Sequence, residues 1–212
     1  MPIILRKTLI IMSKILVVTG DAGESYEALY AIHRLREAAY TPVIAAPRPR
    51  RLHLVMHDFE PGWDTYVERP GYAVEADIAF DQVDVADYAA ILLLGGRAPE
   101  YLRHDQKLLD IIRQFAHDGK WVFAICHGIQ IVIAAGLASG KRVTCYEHLR
   151  AEVAHCGGIY STGQAVRDGR LVTAQTWQSH PEFYREVLAC LANDQAQPSG
   201  TVAASTIPAG VG

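Results

Sequence analysis

The strongest constraint on the fold is a repeated alternation. Short, almost uninterrupted apolar runs, "SKILVVTG" (Ser13–Gly20), "AAILLLGG" (Ala89–Gly96) and "KWVFAI" (Lys120–Ile125), are each followed by residues with helical spacing. "TPVIAAP" is a further strand, ended by Pro47. A strand buried on both faces reads as a continuous apolar run, whereas a half-exposed strand alternates. Such strands interleaved with helices imply an α/β fold with a mostly parallel sheet covered on both faces. Tyr26–Ala39 carries Leu29, Ile32 and Leu35 and reads as an amphipathic helix. Pro99 suits a first helical turn, with "KLLDIIRQFAHDG" continuing that helix to Gly119. Ile129–Leu137, "HLRAEVAHCGG" and Pro181–Leu191 read as the remaining helices, and "KRVTCY" and "GRLVTAQTW" as strands. Arg48–Arg69, which holds Pro, Gly, Trp63 and Tyr66, reads as loops with a small hairpin.

The 212 residues suffice for one sizeable core. Residues 13–192 are expected to form a single domain. Residues 1–12 read as an N-terminal extension, since the apolar part of "RKTLIIM" is too short for a signal peptide and no cleavage site follows; Met12 is an alternative start. Residues 193–212, rich in Ala, Gly, Ser and Pro, read as a disordered tail. A net charge of −3 gives no basic stripe, which argues against a nucleic-acid partner. No apolar run is long enough to span a bilayer as a helix. The four cysteines, Cys126, Cys145, Cys156 and Cys190, show no CxxC spacing, so a reduced, cytoplasmic protein is expected. His53 and His57 are four apart, but their segment lacks helical character, and no metal or cofactor is expected.

Cys126 stands where a strand turns into a helix, the end of an open α/β sheet at which ligands bind. A helix N-terminus favours the thiolate, and Gly128 allows close backbone approach. The bland alternative is a buried structural thiol. His127 is either the base for that thiol or a packing residue at the helix start. Glu24, on the loop after the first strand, either faces the crevice as a carboxyl of raised pKa or stabilises a helix dipole in the first turn. Gly95, Gly96, Arg97 and Glu100 follow a strand, where glycines suit close approach to a ligand or simply a turn and helix start. His180 and Glu182 either orient a base toward Cys126 or belong to an N-terminal helix signal around Pro181. Trp177 reads as core or pocket wall.

Three separated blocks, "GDAGESYE", "LLLGGRAPEYL" and "AICHGIQ", together resemble the ThiJ/PfpI superfamily. "HDF", "FDQVDVADY" and "SHPEFY" further resemble its PfpI-like proteases and the plant tandem-domain glyoxalases that need no glutathione, with one such domain here. The resemblance implies a flavodoxin-like three-layer sandwich, related to that of class I glutamine amidotransferases. It implies Cys126 as nucleophile, Glu24 as its acidic partner, and His127 working with Glu100 of a neighbouring subunit in a homo-oligomer. The leading expectation is a glyoxalase that converts methylglyoxal or glyoxal to lactate or glycolate through a Cys126 hemithioacetal, with Glu24 relaying the proton. Repair of early glycation adducts is a close variant. The alternatives are a cysteine peptidase using Cys126, His127 and Glu100, an amidotransferase-like hydrolase using Cys126, His180 and Glu182, and a non-catalytic oxidation sensor or holding chaperone.

Overall fold

The structure is a computed structural model that describes residues 13–196, with side chains as far as Asp194. The expected extension over 1–12 and most of the expected tail lie outside the described residues. Eleven strands and six α-helices are described: β1 Lys14–Val18, α1 Ser25–Glu37, β2 Thr41–Ala46, β3 Arg51–Asp58, β4 Val67–Glu75, β5 Ile78–Ala79, β6 Tyr88–Leu93, α2 Ala98–Leu102, α3 Gln106–His117, β7 Trp121–Ile125, α4 Ile129–Ala134, β8 Arg142–Val143, α5 Arg150–His155, β9 Ile159–Tyr160, β10 Ala165–Asp168, β11 Leu171–Ala174 and α6 His180–Ala196.

The central sheet has seven strands in the order β10-β11-β7-β6-β1-β2-β5. All its pairings are parallel except β10 with β11. From β1 the chain moves one way to β2, and from β6 the other way to β7. Right-handed crossovers in opposite directions put α1 and α3 on opposite faces, which makes three layers. α6 returns to the α1 face, where Tyr30 packs on Tyr184 with ring centres 5.1 Å apart. The apolar runs become β1, β6 and β7, and Leu16, Leu92 and Phe123 are wholly buried. Each such side chain contributes about 1.5–3 kcal/mol.

The carboxyl ends of β7, β6 and β1 lie side by side at the point where the strand order reverses. An open α/β sheet leaves a crevice there.

Four sequence expectations change. The helix expected from Pro99 to Gly119 is two helices, because Asp105 accepts the N–H of Leu108 at 3.1 Å and caps a new start at Gln106. The small hairpin expected within Arg48–Arg69 is there but longer: Leu52 pairs with Val74 and Asp58 with Val67 in an antiparallel hairpin, β3–β4, that runs on to Glu75, and the irregular part shrinks to the connection over 59–66. "KRVTCY" shortens to the two residues of β8. The last helix runs past Leu191 to Ala196, since Asp194 accepts Trp121 Nε1–H at 2.8 Å and pairs with Arg170.

Candidate active site

Cys126 is the first residue after β7, with φ at +57°, the left-handed region. A side chain costs about 1–2 kcal/mol there. A 3-10 turn over Cys126–Gly128 leads into α4. Gly128 is required by space: a Cβ there would lie 2.4 Å from the carbonyl oxygen of Leu93. The elbow thus presses against β6 and aims the thiol into the crevice, where Cys126 is 8% exposed.

The acid beside the thiol is Glu27, not Glu24. Glu27 lies on the buried face of α1 with Ala28, Ala31 and Leu35, and is 0% exposed. Its Oε2 accepts the N–H of Gly95 at 2.6 Å. A Cβ on Gly95 would sit 2.6 Å from the Cβ of Cys126 and 3.0 Å from that Oε2, so only glycine lets the two side chains approach. Burial, then the charge of Glu24, holds the Glu27 carboxyl well above the usual range, against the pull of the Gly95 N–H and the Cys126 thiol. Glu24 instead caps α1. Its Oε1 accepts the N–H of Tyr26 at 3.1 Å and its Oε2 the N–H of His57 at 2.9 Å. The helix-start reading of Glu24 therefore describes its position.

The thiol also departs from expectation. Burial, with the charges of Glu27 and Glu24, pushes Cys126 up, and the N–H groups of His127 and Gly96 offset only part of this. A six-residue helix behind a 3-10 turn is too small a dipole to outweigh desolvation. Burial and neighbouring charge thus favour the protonated form of both Cys126 and Glu27.

His127 does meet the thiol: its Nδ1 is 3.4 Å from Sγ. Burial and the nearby His57 lower its pKa to about 4, so its ring is neutral and can accept a proton. The ring stacks on Tyr146 at 5.3 Å and meets Tyr66 edge-on at 6.0 Å. Those two tyrosines form a roof over His127. Tyr66 lies in the tip of the β3–β4 hairpin, and the tip is tied down by Thr65 Oγ1 to Tyr146 Oη at 3.0 Å and by His148 Nε2 to the Asp64 carbonyl at 3.2 Å.

Other candidates scatter. Gly96, with φ at +76°, has its N–H near enough to the thiol to draw the Cys126 pKa down. Arg97 grips Glu68 rather than facing the thiol. Glu100 is exposed on the first turn of α2. Trp177 donates its indole N–H to the His57 carbonyl at 2.9 Å. His180 stacks on Tyr30 at 4.3 Å, neither of its ring nitrogens has a hydrogen-bond partner among the described residues, and burial lowers its pKa to about 4. Glu182 is exposed and does not orient it. His53 is exposed while His57 is buried between carboxylates, so the two do not form a pair.

A thiol at a strained strand-to-helix elbow, over a doubly wound sheet and against a buried acid, defines a class of α/β proteins with a cysteine-centred site. The profile of the DJ-1/PfpI family matches residues 13–190, and the chain belongs to that family. It is 35% identical to Protein DJ-1 homolog D of Arabidopsis thaliana over 185 residues, 84% of this chain but only 47% of that relative's length. It is 35% identical to Deglycase PfpI of Pyrococcus furiosus over 162 residues, 76% of this chain and 89% of that one. Drosophila melanogaster DJ-1beta superposes with a TM-score of 0.72 at 21% identity, over 87% of this chain and 92% of that one, which shows the shared flavodoxin-like fold.

Proposed function

We propose that the chain is a glutathione-independent glyoxalase, or a deglycase working by the same steps, acting on small dicarbonyl aldehydes such as methylglyoxal. One observation carries the reading: the buried thiol has the His127 imidazole 3.4 Å away on one side and, across Gly95, the buried Glu27 carboxyl, whose protonated form is favoured. His127 takes the thiol proton as Sγ adds to the aldehyde carbon, and Glu27 gives its proton to the aldehyde oxygen, forming a hemithioacetal. The Glu27 carboxylate then removes the hydrogen on that carbon while the His127 imidazolium protonates the ketone oxygen, which gives an enediol; Glu27 returns the hydrogen to the neighbouring carbon as His127 takes up the proton of the first hydroxyl. The product is a thioester of lactate. Water cleaves it, releasing lactate and restoring the thiol. Glu27 takes the relay role first expected of Glu24, because Glu24 is committed to the α1 cap and His57.

The tyrosine roof favours a small substrate over a polypeptide, which sets the peptidase reading second. The separation of His180 from Glu182 removes the support for an amidotransferase-like triad. A homo-oligomer that brings Glu100 of a second copy to the site remains part of the proposal. The test is methylglyoxal loss without glutathione, with D-lactate assayed, in the wild type and in Cys126→Ala, Glu27→Gln and Glu24→Gln. Turnover should vanish in the first and collapse in the second. Turnover that persists in Cys126→Ala, or its absence from the reduced wild type, sinks the reading.

A further inference from the structure

Four charged side chains stand in a row beside the thiol pocket and take no part in the steps above. Glu24 Oε2 lies 3.0 Å from His57 Nδ1, and His57 Nε2 lies 3.0 Å from Glu68 Oε2. Arg97 holds Glu68 with two prongs, Nε to Oε2 at 2.6 Å and Nη2 to Oε1 at 2.8 Å. His57 is 5% exposed, with a carboxylate oxygen at each ring nitrogen. Nε2 hydrogen-bonds Glu68, and the Glu24 carboxylate lies against Nδ1 as an ion-pair partner, so the two acids together favour the doubly protonated ring. The charges therefore alternate, minus, plus, minus, plus, and cancel.

The row joins the three segments that build the pocket. Glu24 caps α1, whose first turn holds Glu27. His57 and Glu68 belong to the hairpin that carries the roof, and the His57 ring packs on Tyr66 with centres 4.1 Å apart. Arg97 follows Gly95, whose N–H holds Glu27, and Gly96. The hairpin pairs with itself and forms no ladder with the seven-stranded sheet. Its backbone ties to the body run through short contacts, such as the Ala22 N–H to the His53 carbonyl and the Val55 N–H to the Gly23 carbonyl.

We infer that His57 is a positioning residue: an imidazolium clamp between Glu24 and Glu68 that fastens the roof hairpin to the floor of the pocket and sets how far Cys126 is covered. For turnover this rests on the glyoxalase reading; for access to the thiol it does not. The titratable groups facing His57 are Glu24 from α1, Glu68 from β4, Tyr66 from the hairpin tip and His127 from the elbow. Burial alone would lower the His57 pKa, but hydrogen bonds and charge from Glu24 and Glu68 raise it overall. The clamp is therefore complete below the ordinary histidine range and is lost as pH rises through the raised value.

The experiment measures iodoacetamide alkylation of Cys126, resolved by peptide mass spectrometry, from about pH 6 to about pH 10. His57→Gln, Glu68→Gln and the double variant are compared with the wild type, and methylglyoxal turnover is followed alongside. Each single variant should alkylate about tenfold faster at neutral pH, the shift expected when a charged hydrogen bond is lost. The ratio to wild type should shrink at alkaline pH, where the wild type loses its own clamp. The double variant should be no faster than His57→Gln, since one link breaks either way. Folded variants that alkylate within about twofold of wild type at neutral pH, or a ratio that does not change with pH, overturn the inference. If His57→Gln does not fold, Glu68→Gln decides alone, because that side chain is already 31% exposed. A wild type without methylglyoxal turnover removes the glyoxalase reading and leaves the alkylation ratios to judge the clamp.

Discussion

Replacing Glu27 by glutamine tests the electrostatics of the pocket directly. The carboxyl is wholly buried, and its pKa is raised, by burial first and by the charge of Glu24 second. The folded protein therefore keeps a proton that the unfolded chain releases above its ordinary value of 4.5. The stabilisation from that proton is complete below the ordinary value and declines as pH rises toward the raised one. Within that window each pH unit costs up to about 1.4 kcal/mol. For a domain of this size that is roughly 3–6 °C of melting temperature. Glutamine has nearly the same shape and keeps an acceptor for the Gly95 N–H, but carries no such proton. The difference in melting temperature should therefore move in favour of Glu27→Gln as pH rises from about 5 to about 7. Thermal unfolding followed by circular dichroism at fixed ionic strength measures it. The same variant should lose about 10²–10⁴ in turnover. A melting-temperature difference that stays constant over this pH range would mean that Glu27 is already ionised in the fold, and would refute both the retained proton and the relay.

Two further substitutions probe the elbow. Cys126→Gly should be more stable than Cys126→Ala by about 1 kcal/mol, because only glycine adopts φ +57° without strain, and equal urea midpoints would contradict a strained elbow. Gly128→Ala puts a Cβ 2.4 Å from the Leu93 carbonyl oxygen, so it should cost about 1–3 kcal/mol in urea unfolding and abolish turnover by displacing the thiol.

The elbow was the most legible part of the molecule. The apolar run of β7, the cysteine at its end and Gly128 lie within a few residues, and local patterns report local structure. Glu27 carries a signal in the sequence: it sits at the same helical spacing as Ala31 and Leu35, a carboxylate among apolar residues. Glu24 follows the strand and so has the position of a site residue, yet a residue before a helix is as well placed to cap it. His57 was harder to find. Leu52 and Leu54 are buried by simple alternation, but the register of β3 shifts between His53 and Val55, which turns His57 inward. No periodicity announces such an irregularity, and Glu68, its partner, lies across a hairpin whose Pro70 and charges resemble a loop. The division between α2 and α3 was masked because Asp105 starts a helix only a few residues after another ends.

The reactive groups stand on the central sheet and α1, while Tyr66, one half of the cover over them, belongs to a separate two-stranded ribbon. Residues can be added to or removed from the hairpin tip without changing the pairing of any strand in the sheet. Because a one-residue slip in the sheet would turn a whole strand inside out, that independence separates two kinds of change. The opening can be reshaped for a larger or more polar substrate while the thiol, the acid and the imidazole keep their spacing. The molecule thus holds its chemistry and its selectivity in different pieces of backbone, and variation in one need not disturb the other.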